Sequence, residues 1–86
     1  MARARKPAKS LRSAEHQALC TLLIEARRNA NLNQADVAAK LGKPQSFVAK
    51  YEGGERRLDV PEFISVAQAI GADPISLLRA LMRAIN

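Results

Sequence analysis

Five short segments of helical pattern, each bounded by a start or stop signal, constrain the fold of this chain more than any other feature. The clearest start is Asn33, which can cap a helix while Asp36, three positions later, reaches back to it. Asp59 and Glu62 repeat this arrangement, and Gly42 ends the segment that begins at Asn33. Helices of about two turns are unstable alone and have to pack between neighbours. The pattern therefore predicts a bundle of helices.

Other capping residues predict the remaining boundaries. Ser13 is expected to cap the first helix, which should end near Asn29. Pro44 is expected at the first position of a third helix over residues 44–52, and Asp73 opens the fifth. No segment has the alternating pattern of a strand. The predicted fold class is all-α, a compact five-helix bundle.

The length of 86 residues suits one domain with at most a short tail. Residues 1–12 have no hydrophobic periodicity, so we expect a flexible arm there and the helical domain over residues 13–86. The single cysteine, Cys20, cannot form an internal disulfide and is expected to pack in the interior. Apolar runs are too short to span a membrane and no signal-peptide pattern is present, which predicts a cytoplasmic protein.

Positive charge is concentrated at the N-terminus. The chain has 14 Lys and Arg against 8 Asp and Glu, a net charge of +6. Five of these bases precede residue 13 without any acid among them: Arg3, Arg5, Lys6, Lys9 and Arg12. A cationic arm on a nearly neutral body indicates a polyanionic partner, or alternatively an arm that only aids solubility. Because Leu11 is its one substantial apolar residue, membrane binding is disfavoured.

The third helix has two different faces, at about 100° per residue. Phe47, Val48 and Tyr51 lie on an apolar side that predicts core packing. The opposite side presents small and polar groups: Gln45, Ser46, Ala49 and Lys50. An amide, a hydroxyl and an ammonium can hydrogen-bond to base edges in the major groove of double-stranded DNA, although a solvated surface would look similar. The preceding helix and its Gly-containing turn favour DNA, because together they have the helix-turn-helix layout.

The sequence resembles the phage repressor/Cro-type family, also called the xenobiotic response element family, of bacterial DNA-binding regulators. The resemblance runs from about Leu19 to Leu78. It depends on the Asn33-Gln34 start, Ala38, Leu41-Gly42, the Tyr51-Glu52-x-Gly54 ending and Ala67-x-Ala-Ile-Gly71. It implies a bundle of the lambda-repressor-like type that binds operators, usually as a homodimer, and regulates transcription at the bacterial nucleoid. It implies no cofactor.

The resemblance implies roles for several residues. The residues at base-reading positions are Gln45, Ser46, Ala49 and Lys50. Those at positions that contact the DNA backbone are Asn33, Gln34, Lys43, Arg56 and Arg57. Arg27 and Glu52 match a pair that forms a buried salt bridge in several family members. The alternative for each residue is an ordinary solvated side chain.

Two residues of the third helix region depart from the family pattern. Pro44 and Phe47 replace residues that are more commonly polar or small, which leaves the docking depth open. Phe47 is expected to pack in the core, with contact to a thymine methyl as the alternative. The basic arm is also outside the family core, and it could follow the DNA backbone or enter the minor groove.

The fifth helix has more apolar positions than one core-facing stripe needs. Leu77 and Leu81 form one line. A second line is formed by Ile75, Leu78, Met82 and Ile85. This second line predicts a dimer surface, and a single broad core face is the alternative.

The residues do not indicate an enzyme or a metal site. The single histidine, His16, is expected to be exposed, and no nucleophile or metal-ligand motif accompanies it. Two other functions share the predicted fold: an antitoxin that represses its own operon and binds a toxin, and a protein-interaction module without specific DNA binding. The function predicted from the sequence is that of a sequence-specific DNA-binding transcriptional regulator.

Overall fold

The computed structural model of the chain describes residues 13–85, and within them the secondary structure consists of α-helices without a strand. The elements are α1 (Ala14–Asn29), α2 (Gln34–Leu41), α3 (Gln45–Glu52), α4 (Val60–Ile70) and α5 (Pro74–Ala84). The all-α, five-helix prediction is confirmed. The basic residues of the predicted arm, 1–12, lie outside the described part of the chain.

Side-chain caps fix the starts of the helices. Ser13 Oγ accepts the His16 N–H at 3.1 Å and begins α1. The Asn33 side chain accepts the Asp36 N–H at 2.7 Å, and the Asp36 carboxylate accepts the Asn33 N–H at 2.8 Å. The same reciprocal pair forms between Asp59 and Glu62 at α4. Both predicted capping boxes are therefore confirmed.

Residues in the left-handed conformation end α2 and α4 and lie in the turn between α1 and α2. Gly42 ends α2 with a φ of +67° and Gly71 ends α4 with a φ of +85°. Asn31, between α1 and α2, has a φ of +60° and is the single non-glycine residue of this kind in the described chain. An asparagine tolerates this conformation better than most residues because its side chain is short and polar.

Pro44 corrects the predicted start of the third helix. It has a φ of −69° and a ψ of 155°, so it is the N-cap residue and the helix begins one position later, at Gln45. The proline ring fixes φ at a value that both helices and extended chain share, and ψ decides between them. The turn between α2 and α3 is thereby extended by one residue.

The core lies where α1, α2, α3 and α4 meet. Its fully buried cluster contains Leu23, Val37, Ala38, Val48, Tyr51, Val66 and Ile70. Leu77 from α5 and Phe63 from α4 pack against this cluster from its edge. The two-turn helix α2 packs against both α3 and α4, which supplies the neighbours that its length requires.

The prediction that His16 is exposed is wrong. Its side chain is buried on the face of α1 that also carries Cys20, Leu23 and Arg27, because these positions recur at helical spacing. His16 Nε2 lies 3.9 Å from Cys20 Sγ. The Cys20 thiol is buried as expected and donates to the Tyr51 carbonyl oxygen at 3.2 Å. Burial raises the pKa of Cys20, which keeps the thiol protonated.

In the described residues no helix combines the length and the apolar character that crossing a membrane requires. The same residues contain no group of three or more His, Cys, Asp or Glu side chains arranged to hold a metal ion.

Candidate nucleic-acid interface

The helix α3 separates a buried side from an exposed side. Val48, Tyr51 and Glu52 are buried, whereas four small or polar side chains face solvent: Gln45, Ser46, Ala49 and Lys50. The exposed set is the one that the sequence places at base-reading positions. Its members lie on the two turns of one short helix, so they present a continuous surface.

A buried ion pair holds the C-terminal end of this helix. Arg27 Nε donates to Glu52 Oε2 at 2.7 Å, and Arg27 Nη2 donates to Glu52 Oε1 at 3.1 Å. Arg27 Nη1 also donates to the Leu32 carbonyl at 3.0 Å, so the guanidinium contacts both α3 and the α1–α2 turn. The side chains of Arg27 and Glu52 are only 11% and 4% exposed. Hydrogen bonding to Glu52 raises the pKa of Arg27 further.

The ion pair continues outward through Gln34, the first residue of α2. Gln34 Nε2 donates to Glu52 Oε1 at 2.9 Å, and Gln34 Oε1 accepts from Gln45 Nε2 at 3.4 Å. Hydrogen bonds therefore connect the buried carboxylate with an exposed amide on α3. This arrangement uses one Gln45 N–H. The Gln45 Oε1 atom has no partner among residues 13–85, which leaves it available to another molecule.

Aromatic and charged side chains surround the start of α3. The Phe47 ring is half-buried, packs against the core, and lies 5.6 Å from the Tyr51 ring at an interplanar angle of 74°. Lys43 Nζ lies 5.4 Å from the centroid of the Phe47 ring, and Arg56 Cζ lies 4.6 Å from it. These distances are typical of cation–π contacts.

Arg56 also forms a second ion pair, which the sequence did not indicate. Its Nη1 and Nη2 atoms donate to Glu62 Oε1 at 3.0 Å and to Glu62 Oε2 at 2.8 Å. Glu62 completes the α4 capping box from the third position of the helix, and that role gave no hint of a partner six positions earlier. The hydrogen bonds from Arg56 and from the Asp59 backbone lower the pKa of Glu62 from 4.5 to about 2.

The remaining positions that were expected to contact the DNA backbone lie at the edges of this surface. Lys43 and Arg57 are exposed in the loops before and after α3. Asn33 is exposed at the start of α2, where its side chain is engaged in the capping box. The start of α2 therefore carries Asn33 and Gln34, and the turn between α2 and α3 carries Lys43. Arg57 lies in the loop after α3.

The second apolar line on α5 is exposed. Ile75 is 54% exposed, Leu78 44%, Met82 55% and Ile85 43%, whereas Leu77 and Leu81 are half-buried. Three of the exposed side chains lie along one face of α5, and Ile85, the residue that follows its last turn, continues that line. Within the described chain they form an apolar stripe without a covering element.

Known proteins with similar sequences or similar folds include helix-turn-helix proteins and restriction-modification controller proteins. The model of a helix-turn-helix family matches residues 23–77. A solved XRE-family like protein from Pseudomonas syringae pv. tomato str. DC3000 is 51% identical, covers 85% of this chain and 89% of its own, and has a TM-score of 0.80. The restriction-modification controller protein C.AhdI from Aeromonas hydrophila is 26% identical, over 76% and 98%, with a TM-score of 0.70.

A more distant structure shares the fold alone. The restriction-modification controller protein C.Esp1396I, solved as a tetramer in complex with its natural 35 base-pair operator, is 15% identical. It covers 85% of this chain and 96% of its own, with a TM-score of 0.77. The chain has no match among curated proteins.

Breaking the buried ion pair should destabilise the fold strongly. We expect Glu52→Ala to lower the free energy of unfolding by about 3 to 5 kcal/mol, because it leaves the Arg27 charge buried without its partner. Urea denaturation measures the change. Glu55→Ala, which removes an exposed carboxylate three residues later, should stay within about 0.5 kcal/mol of the parent. A Glu52→Ala protein that unfolds like the parent would contradict this account.

The Arg56–Glu62 pair should make stability depend on pH below about 5. Since the folded-state pKa of Glu62 lies near 2 and its ordinary value is 4.5, its ionised form stabilises the fold above pH 4.5. That stabilisation is lost as the pH falls through about 2. The difference in unfolding free energy between the parent and Glu62→Gln should be constant from about pH 7 to 5 and then shrink.

Denaturation in urea at a series of pH values measures this difference. An Arg56→Met background provides the control, because Arg56 is the main cause of the lowered Glu62 pKa. In that background, Glu62→Gln should have a weaker pH dependence. An equal pH dependence in both backgrounds would show that Arg56 is not the cause.

Proposed function

The chain belongs to the XRE-type helix-turn-helix family of DNA-binding transcription regulators, and from this premise we propose that it binds a pseudo-palindromic operator as a homodimer, with α3 in the major groove. The observation that carries the proposal is the exposed face of α3. Its four side chains lie on the helix that follows the helix-turn-helix turn, and their chemistry matches base edges.

Each exposed residue of α3 has a chemically defined role in the proposal. Gln45 pairs with adenine, since an amide can accept from N6 and donate to N7 at once. Lys50 donates to the guanine acceptors, and Ser46 bonds to either kind of group. Ala49 leaves room between them and can contact a thymine methyl.

The orientation of the Gln45 amide supports adenine as its target. Gln34 Nε2 faces the Glu52 carboxylate, which accepts hydrogen bonds and cannot donate them, so Gln34 Oε1 must face outward. Gln34 Oε1 then accepts one Gln45 N–H and leaves the second N–H and Oε1 of Gln45 for a base. Those two groups are the ones that adenine requires.

Contacts with phosphates would fix the register of α3 on the DNA. The start of α2, where Asn33 is the cap and Gln34 the first helical residue, carries the positive end of the helix dipole. Lys43 and Arg57 add charge on either side of α3. Arg56 belongs to the same expected set, and its contacts with Glu62 and Phe47 lead to a different role for it below.

The homodimer is supported by the exposed stripe on α5. Four large apolar side chains at about half exposure are unusual on the surface of a small monomer. A two-fold axis through α5 would bury the same stripe from both copies. To read two half-sites, such a dimer has to hold its two α3 helices about one helical turn of DNA apart, roughly 34 Å.

Selection of duplexes from a random DNA pool tests base recognition. At about 50 and 200 mM salt, the protein should enrich the same two-fold-symmetric sequence, because only contacts to bases enrich a sequence. Lys50→Ala should relax the preference at one base pair by about 1 to 3 kcal/mol. Arg79→Ala, which removes an exposed cation from α5, is the control. Binding that enriches nothing and disappears at the higher salt would rule out the proposal.

Met82→Glu tests the dimer. A charge in the centre of the α5 stripe should give a monomer at micromolar concentration in sedimentation. Operator affinity should fall by about a hundredfold, because half-site binding loses its avidity. Ala84→Glu adds the same charge at an exposed position outside the stripe and should stay dimeric. If Met82→Glu remains a dimer, the two copies meet elsewhere.

A further inference from the structure

Arg56 is held on two sides by other residues of this chain. Its guanidinium forms three hydrogen bonds, two to the Glu62 carboxylate and one from Nη1 to the Arg57 carbonyl at 2.9 Å. The same group lies 4.6 Å from the centroid of the Phe47 ring. A planar guanidinium can do both at once, because its edge donates hydrogen bonds while its face stacks.

The Glu62 side of this contact is rigid. Glu62 Oε1 accepts both the Arg56 bond and the Asp59 N–H of the capping box at 3.0 Å. The carboxylate therefore cannot rotate away from Arg56 without opening the cap of α4. Arg56, in the loop after α3, is attached in this way to the first turn of α4.

The Phe47 side of the contact reaches the start of α3. Phe47 is the third residue of this helix, directly after Gln45 and Ser46. Its N–H donates to the Pro44 carbonyl at 3.0 Å, and its ring packs on Tyr51. A side chain that presses on Phe47 consequently limits the movement of the helical turn that carries two of the base-reading residues.

The charge of Arg56 is already paired. Both of its terminal nitrogens bond to Glu62, so a DNA phosphate would have to compete with a carboxylate that is 27% exposed. Lys43, on the same ring, forms no ion pair within 4 Å among residues 13–85, and its charge acts on Glu62 only at longer range, as the smallest cause of the lowered Glu62 pKa. The two cations near Phe47 therefore differ in their availability to DNA.

We propose that Arg56 is a positioning residue, which fixes the first turn of α3 by linking Phe47 to Glu62, and that it does not serve as a phosphate contact. This inference rests on the proposed function for its DNA readout. In this proposal, the first turn of α3 is held in place by a contact between the loop after α3 and the capping box of α4.

The salt dependence of operator binding distinguishes positioning from phosphate contact. Each phosphate contact adds about 0.9 to the slope of log affinity against log salt. Arg56→Ala should lower operator affinity by about three- to tenfold with an unchanged slope. Lys43→Ala should reduce the slope by about 0.9. A slope that falls equally in Arg56→Ala would overturn the proposal.

Two conservative variants sharpen this comparison. Arg56→Lys keeps the charge and loses the planar fork, so it should behave like Arg56→Ala, whereas a phosphate contact would be largely preserved by lysine. Glu62→Gln keeps a side chain that suits the capping box, and it should weaken operator binding because the ionic link to Arg56 is lost. A phosphate-binding Arg56 predicts the reverse, with tighter binding and a steeper slope once Glu62 no longer competes for it.

Hydrogen exchange on the free protein makes the test independent of DNA. In Glu62→Gln and Arg56→Ala, the backbone N–H groups of Phe47 and its helical neighbours should exchange several-fold faster, while those of α5 stay unchanged. A parent protein that selects no DNA sequence but shows this exchange pattern would reject the proposed function and retain the positioning role. Unchanged exchange at α3 would reject the positioning role itself.

Discussion

A buried ion pair joins the end of α1, at Arg27, to the end of α3, at Glu52. Both charged side chains are largely shielded from water. The cost of desolvation offsets much of their attraction, so the pair need not add net stability. Its effect is on geometry. Both carboxylate oxygens of Glu52 are engaged, one of them by Arg27 and Gln34 together, so neither α3 nor the start of α2 can rotate without stranding a buried charge.

The helix α3 has only eight residues, too few to be stable by its own hydrogen bonds. Its order comes from contacts at both ends and along its buried side. Glu52 holds the C-terminal end, Phe47 holds the first turn between Arg56 and Tyr51, and Val48 fills the core between them. Because these contacts leave the opposite side free, the polar side chains of α3 stand on a short helix whose orientation is fixed.

Local rules predicted most of the fold. The cap at Ser13 and both capping boxes are settled within four residues of chain, and all are present. The start of α3 was predicted one residue too early, because a proline has the same φ in a cap and in a helix. His16 was wrongly expected at the surface, since a polar residue in a first turn carries no sign of the helices that will cover it.

The sequence by itself determined which segments become helices, where they are capped and which α3 residues share a face, because these properties depend on neighbours a few positions apart. Only the tertiary structure decided which charges are paired. Glu52 lies 25 residues from Arg27, a pair that the family resemblance implied but no spacing encodes, and Arg56 meets Glu62 across a loop that no helical period describes. Such pairs exist because packing brings distant carboxylates and guanidinium groups together, and the sequence pattern contains no spacing that encodes that approach.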